Sequence, residues 1–243
     1  MASAGRFGIV LFTILASLTL LSYAVGWAIG SPALVPVLNT LPGLAFMCAA
    51  LRRGQTPRAI ALMLGWAAVM GIGATLMSYL SPARTATLFL NGERYAAEMM
   101  LWVRTGIGEE SSPARFVPSH AAHAAAFCAL SLVSGSVLSM PMGAVLMNDM
   151  GHYVGALAAV SARPALTACL AWAPWSLVRI ASFVVLGVVL GGPVLSRLGR
   201  FPFSLRVHVR WLALAAGGLF LDVVLKWLMA PAWSRLLRAA AGW

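Results

Sequence analysis

Long apolar stretches alternate with short polar turns along this chain, and their lengths predict helices that cross a bilayer. A transmembrane helix needs about 20 mainly apolar residues. The stretches of that length run from Phe7 to Gly30, Ala33 to Leu51, Ala59 to Leu80, Ser119 to Met140, Met142 to Ala162, Trp172 to Leu195 and Trp211 to Met229. We therefore predict an all-α, polytopic transmembrane bundle of six or seven spans, with residues 1–243 as one membrane domain.

The number of spans depends on residues 33–51, which contain two prolines and form either a second crossing or a re-entrant hairpin. We favour a crossing, because it returns Arg52, Arg53 and Arg58 to the side where Arg6 lies, as the positive-inside rule requires. Arg6 alone precedes the first stretch and no small-residue cleavage site follows it, so we expect an uncleaved first span.

Residues 81–118 form the longest polar interval, and by the alternation of spans we expect this excursion to be extracytoplasmic. Residues 91–103 contain good helix formers, and Gly106 is a natural stop. The spacing of the apolar residues predicts a surface helix with one face toward the lipid headgroups, formed by Tyr95, Met99 and Trp102. Residues 106–118 are rich in Gly, Ser and Pro and are expected to be irregular.

Composition supports the membrane class, since 61% of residues are hydrophobic, 9% are charged and the mean hydropathy is +0.89. The net charge of +11 comes from cations between apolar segments, a pattern of loops that face anionic lipid and not of nucleic-acid binding. We expect a multi-pass protein of the bacterial inner membrane, in contact with the lipid bilayer.

Acidic and histidine residues cluster in one part of the chain. Four of the six acidic residues fall within 18 residues, and three of the four histidines follow them: Glu93, Glu98, Glu109 and Glu110, then His120, His123 and His152. His120 and His123 are three residues apart and share a helix face. Asn148, Asp149 and His152 lie inside a predicted span, where ionisable residues usually serve a function.

This set of residue types favours a site at the extracytoplasmic mouth of the bundle. Imidazole and carboxylate groups are ligands for a divalent metal such as zinc, which activates water for hydrolysis. The metal ligands would be His120, His123 and His152. The catalytic carboxylates would come from Glu98, Glu109, Glu110 and Asp149. Substrate would be bound by Arg115, Arg179 and Asn148. These assignments predict a metal-assisted membrane hydrolase.

A non-enzymatic role is the alternative, either as an accessory subunit of a membrane complex or as a small ion- or proton-coupled transporter. His120 and His123 then serve only as interfacial polar residues. Glycines in the last two spans would permit close contact with membrane-protein partners or a second copy. No internal repeat supports a transporter. Asp222 and Lys226, four residues apart, are predicted to form a structural ion pair.

Overall fold

The computed structural model describes the backbone of residues 2–243 and the side chains of residues 8–243. This part of the chain is 86% helix and contains no strand. Its helices are α1 (Ala2–Ile29), α2 (Leu34–Arg52), α3 (Thr56–Leu80), α4 (Pro82–Leu88), α5 (Gly92–Thr105), α6 (Pro113–Ser134), α7 (Ser139–Ala159), α8 (Pro164–Ala171), α9 (Pro174–Gly199) and α10 (Val209–Ala241). Two short 3-10 turns, Glu109–Ser111 and Leu205–His208, precede α6 and α10.

Six of the helices are long and apolar enough to cross a membrane, which confirms the predicted polytopic all-α class. They are α1, α2, α3, α6, α9 and α10. Residues 34–52 form one helix that continues through Pro42. A re-entrant hairpin at these residues is therefore not what the chain forms.

Helix α7 is the remaining long helix, and it lies in the middle of the bundle. Every residue from 147 to 158 is buried. A Cβ atom on Gly151 would lie 2.5 Å from Ala74 Cβ, and one on Gly155 would meet the carbonyl oxygen of Thr75. These two glycines, one turn apart, let α7 lie directly against α3, as small residues do between membrane helices. Because other helices surround α7, it can carry polar residues that a lipid-facing helix could not.

In the sequence, two apolar stretches meet at Pro141, which predicts either a helical hairpin or one broken helix with its break at that residue. In the structure, the turn between α6 and α7 lies elsewhere. Helix α6 ends at Ser134, and the chain reverses where Gly135 and Ser136 have φ angles of 63° and 68°. Pro141 lies in the first turn of α7. Proline is tolerated there because the first backbone N–H groups of a helix have no intrahelical acceptor. The prediction at Pro141 was therefore wrong for a physical reason: proline marks a helix start as readily as a break.

Two other helix boundaries also differ from the sequence prediction. Helix α6 begins at Pro113 instead of residue 119, so Arg115 and Pro118 are helical. The last apolar stretch ends at Met229, and the tail from Trp233 with its arginines predicts a short interfacial amphipathic segment. In the structure, helix α10 continues through Pro231 to Ala241. In both places the helix is longer than its apolar stretch, because the ends of these helices pack on protein.

Helix α5 forms as predicted and ends at Gly106, whose φ of 73° is left-handed. Its apolar face has a different neighbour from the one expected. Met99 and Trp102 are 6% and 1% exposed and belong to a buried cluster with residues of α7 and α10. The helix therefore covers the bundle with this face instead of presenting it to lipid headgroups.

The turns gather at two ends of the bundle. At one end, Thr56 Oγ1 lies 2.8 Å from His208 Nε2. At the other end, the Arg238 Nε–H group donates to the Val103 carbonyl at 3.1 Å, and the Ala162 N–H group donates to the Ala241 carbonyl at 2.9 Å. The first end has two Arg-rich turns with no acidic residue, containing Arg52, Arg53, Arg58, Arg197, Arg200, Arg206 and Arg210. By the positive-inside rule, we expect this end to be cytoplasmic; the Arg6 side chain lies outside the described residues.

Cysteine labelling tests this orientation. In a protein whose three native cysteines are replaced by alanine, we expect Ser112→Cys to react with a membrane-impermeant maleimide in intact cells. Arg53→Cys, at the other end of the bundle, should react only after the cells are permeabilised. The opposite labelling pattern would reverse the orientation.

A Gly155→Ala substitution tests the contact between α7 and α3. We expect it to lower stability by about 1–3 kcal/mol, because the added methyl group meets the α3 backbone. Gly217→Ala is the matched control, since a Cβ atom there has nothing within 4 Å. The measurement is the temperature at which half of the purified protein loses its monodisperse gel-filtration peak. Equal temperatures for the two variants would contradict close packing at Gly155.

Candidate functional site

A cavity of about 760 Å³ lies between α3, α5, α6, α7, α9 and α10. Part of its wall is apolar and is formed by residues such as Met63, Trp66, Met140, Phe183 and Val188. The part near α5 and the Glu109–Ser111 turn is polar and charged. The cavity therefore presents hydrocarbon-like and ionic surfaces to the same occupant.

Five of the six acidic residues of the chain line this one cavity. They come from α5, the 3-10 turn, α7 and α10, and they are Glu98, Glu109, Glu110, Asp149 and Asp222. His120, His123, Arg94 and Arg179 also line it. In a chain with a net charge of +11, this concentration of carboxylates distinguishes the cavity from the rest of the molecule.

Arg179 of α9 and Asp222 of α10 form a bidentate ion pair. The Arg179 Nε–H and Nη2–H groups donate to Asp222 Oδ2 and Oδ1, both at 3.0 Å. The Asp222 side chain is 2% exposed, whereas that of Arg179 is 22% exposed. A bidentate pair of this kind is the strongest that Arg forms with a carboxylate. Asp222 therefore fixes the orientation of the Arg179 guanidinium, while the Arg179 side chain remains partly accessible.

Lys226 of α10 is fully buried and pairs with Glu110 of the 3-10 turn, with Nζ 2.5 Å from Oε1. The ammonium also lies 4.5 Å from the centre of the Phe116 ring. Its partner is therefore not Asp222, so the predicted i, i+4 ion pair between these two residues was wrong. Each charge instead pairs with a residue distant in sequence, and spacing within one helix carries no information about such partners.

His120 of α6 connects these two ion pairs. Its Nε2 atom is 3.4 Å from Lys226 Nζ, and its Nδ1 atom is 3.4 Å from Asp222 Oδ2. An ammonium group can only donate, so Nε2 is the acceptor. Nδ1 lies near the Asp222 carboxylate but makes no hydrogen bond to it. We call this set of linked side chains the buried ion network; it consists of Glu110, Lys226, His120, Asp222 and Arg179. It joins the 3-10 turn to α6, α9 and α10.

Asp149 of α7 differs from the other buried carboxylates. It is 4% exposed and accepts two long hydrogen bonds from Asn91, at 3.3 Å from the backbone N–H and 3.4 Å from Nδ2. Among the described side chains, no Lys, Arg or His lies within ion-pair distance of it. A buried carboxylate without a cationic partner is unusual, because its desolvation is costly.

Asn148 and His152, which lie on the same helix as Asp149, do not line the cavity. Asn148 accepts from the Tyr23 hydroxyl at 2.5 Å and donates to Asn39 Oδ1 at 3.0 Å. The His152 Nδ1 atom lies 3.1 Å from Thr85 Oγ1 and 3.2 Å from Ser78 Oγ. Asn148 and His152 therefore fix α7 against α1 to α4. Tyr23 and Asn39 were missed from the sequence, although polar residues in apolar spans are a usable signal.

The remaining candidates lie near the surface. Glu98 has a side chain that is 55% exposed and lies 4.0 Å from Arg94, while Glu109 and His123 are exposed residues of the cavity wall. Arg115 is exposed and does not line the cavity. Tyr95, on α5, also lines it. Burial, and then the charge of Glu110, raise the pKa of Tyr95 above its usual range, so its phenol stays neutral.

The three predicted metal ligands do not come together. His152 contacts Ser78 and Thr85, and His120 has a cationic ammonium beside its acceptor nitrogen. Within the side chains of residues 8–243, no group of three His, Cys, Asp or Glu residues is arranged to hold a metal ion. The residues as placed do not fit the zinc site that the sequence suggested.

Substitutions in the buried ion network test its pairing. We expect Lys226→Met to reduce stability by about 3–5 kcal/mol, because it leaves the Glu110 carboxylate without its cation. Adding Glu110→Gln should restore much of this loss, whereas adding Asp222→Asn should not. Folded yield and thermal midpoint in detergent provide the measurement. If Asp222→Asn restored the stability of Lys226→Met and Glu110→Gln did not, the result would support the i, i+4 pair instead.

No protein-family model, curated protein or solved structure matches this chain. A functional proposal therefore rests on the residues and geometry of the cavity.

Proposed function

We propose that the protein is a membrane-embedded enzyme that hydrolyses an amphipathic, lipid-linked substrate by general acid–base catalysis without a metal. The observation that carries this proposal is the convergence of five of the six acidic residues on one cavity, part of whose wall is apolar. Glu98 and Glu109, the exposed acidic residues of its wall, lie at the end opposite the Arg-rich turns, which we expect to be on the extracytoplasmic side of a bacterial inner membrane.

The shape and lining of the cavity support an amphipathic substrate. Ligand sites are typically clefts of about 300–1,000 Å³, lined mainly by apolar side chains with a few converging polar groups. The volume of about 760 Å³ lies within that range. Met63, Trp66 and Phe183 would contact hydrocarbon, while Glu98 and Glu109 would contact the polar head. The polar head of such a ligand would keep polar partners in the cavity, so binding would not bury it unpaired among apolar side chains.

Asp149 is the residue to which we assign the general base. A general base must lie within reach of the water that it activates and must be able to take up a proton. Asp149 lines the cavity and has no cation within ion-pair distance among the described side chains, whereas Asp222 and Glu110 are each neutralised. It is therefore the buried carboxylate best able to accept a proton from water at the substrate.

Arg179 is the residue to which we assign charge stabilisation. Hydrolysis of a carbonyl or phosphoryl group develops negative charge on oxygen, and donors that are fixed beforehand stabilise it most. Two N–H groups of Arg179 are held by Asp222, and its partly exposed side chain lines the cavity. The guanidinium N–H groups that Asp222 does not use would donate to the substrate oxygen. Asp222 and His120 act here as positioning residues.

Proton-coupled transport is the second candidate, and the buried ion network favours it. The network runs from Glu110 in the 3-10 turn to Asp222 in α10 through Lys226 and His120. Chains of ionisable residues within membrane spans mark proton relays in pumps and transporters. In this role the ligand would leave the cavity chemically unchanged.

Incorporation of oxygen from water separates the two functions. Purified protein is reconstituted in liposomes made from a total lipid extract of its host membranes and incubated in water enriched in oxygen-18. A hydrolase transfers one labelled oxygen to the product that keeps the attacked carbon or phosphorus, and mass spectrometry of the lipid and aqueous fractions detects it. We expect labelling with the wild-type protein and a loss of about 100-fold or more with Asp149→Asn, the size of a typical general-base contribution.

Glu93→Gln is the matched control, because Glu93 is the acidic residue that does not line the cavity. This variant should incorporate oxygen-18 into the product at the wild-type rate. Absence of any wild-type labelling would contradict hydrolysis and favour the transporter. Full labelling by Asp149→Asn would remove Asp149 from the mechanism.

A further inference from the structure

We infer that the hydrocarbon chain of the substrate enters the cavity sideways from the bilayer, across a lateral rim formed by Val117, Ala121 and Phe220. This inference deepens the proposed function, on which it rests for the identity of the occupant as a lipid-linked molecule. Val117 and Ala121 belong to α6, and Phe220 belongs to α10.

All three residues of the lateral rim line the cavity, and all three are exposed. Val117 is 37% exposed and Phe220 is 70% exposed. Both α6 and α10 are long and apolar enough to cross a membrane, so the surroundings of the rim are expected to be lipid. A path through apolar side chains lets an alkyl chain pass without contact with water.

The position of the rim in the chain fits a substrate whose head lies at the charged groups. Ala121 follows His120 directly, and Phe220 comes two residues before Asp222. The rim is therefore next to the buried ion network, on the same two helices. An alkyl chain that crosses the rim would place its polar head close to Arg179, and the remaining length of the chain would face Phe183, Met140 and Met63.

An alkyl chain suits this opening better than a water-soluble occupant. The rim offers no hydrogen-bonding side chain, since it consists of valine, alanine and phenylalanine. A polar molecule that crossed it would lose its hydration without compensation. The polar opening near Arg94, Glu98 and His123 remains as a route for water and for the hydrolysed head group.

Photolabelling tests the lateral route without any need for the natural substrate. The protein is placed in lipid nanodiscs that contain a phospholipid with a diazirine near the end of one acyl chain. After irradiation, mass spectrometry locates the adducts. Met63 and Met140 are 2% and 6% exposed and line the cavity, so only a chain inside the bundle reaches them. Leu214 is 64% exposed and outside the cavity, and it serves as the internal standard.

We expect adducts at Met63 and Met140 in the wild-type protein and their loss in Ala121→Trp, with labelling of Leu214 unchanged. Ala125→Trp is the matched control, because Ala125 is an exposed alanine of the same helix that does not line the cavity. It should keep the internal adducts. Phe220→Ala should increase them by widening the rim, and it provides a test that does not depend on the folding of the tryptophan variant.

Absence of internal adducts in the wild-type protein would overturn the lateral route. Internal adducts that neither Ala121→Trp nor Phe220→Ala changes would also overturn it, since the chain would then enter through the polar opening. The labelling is independent of the oxygen-18 assay. Hydrolysis can therefore fail while the lateral route stands, and the reverse result is equally distinguishable.

Discussion

The charges buried among α6, α9 and α10 are paired with charges of opposite sign, and the described structure of these helices depends on that pairing. An uncompensated buried charge costs several kcal/mol, whereas a pair with good geometry and further hydrogen bonds is tolerated. Arg179 and Asp222 join α9 to α10, and Lys226 joins α10 to the 3-10 turn through Glu110. The same contacts fix one charged wall of the cavity. Stability and the candidate chemistry are therefore linked, and the partners of each charge cannot be changed one at a time.

Helix α7 solves a second problem, which is how to place polar groups at the centre of a membrane bundle. Gly151 and Gly155 bring it against α3, and other helices cover the rest of its surface. Asn148 is then satisfied by Tyr23 and Asn39, which fixes the rotation of the helix about its axis. Because Asp149 is the next residue, that rotation determines where its carboxylate lies. The hydrogen bonds of Asn148 on one side of α7 thus determine the position of Asp149, which lines the cavity on another side of the same helix.

Local sequence patterns were sufficient for the class of fold and for most of the helices. The apolar stretches predicted α1 to α3, and Gly106 predicted the end of α5, since a left-handed residue favours glycine. The errors came where tertiary contacts decided the outcome. Pro141 opened a helix instead of breaking one, and α10 continued through Pro231 because its end packs on α5 and α8. Such contacts between distant segments leave no periodic signal.

The candidate site, like the fold, was predictable only as far as local sequence patterns reach. The clustering of Glu98, Glu109 and Glu110 in the sequence indicated where chemistry would concentrate, and the cavity collects these residues. What spacing could not distinguish was which carboxylates are neutralised. Asp222 and Glu110 have cationic partners from other elements, whereas among the described side chains Asp149 has a hydrogen-bond partner only in Asn91. The paired carboxylates can hold the walls of the cavity, and an unpaired one can exchange protons with an occupant. The difference that we propose between structural and chemical roles among these acids therefore arises from partners that only the folded chain brings together.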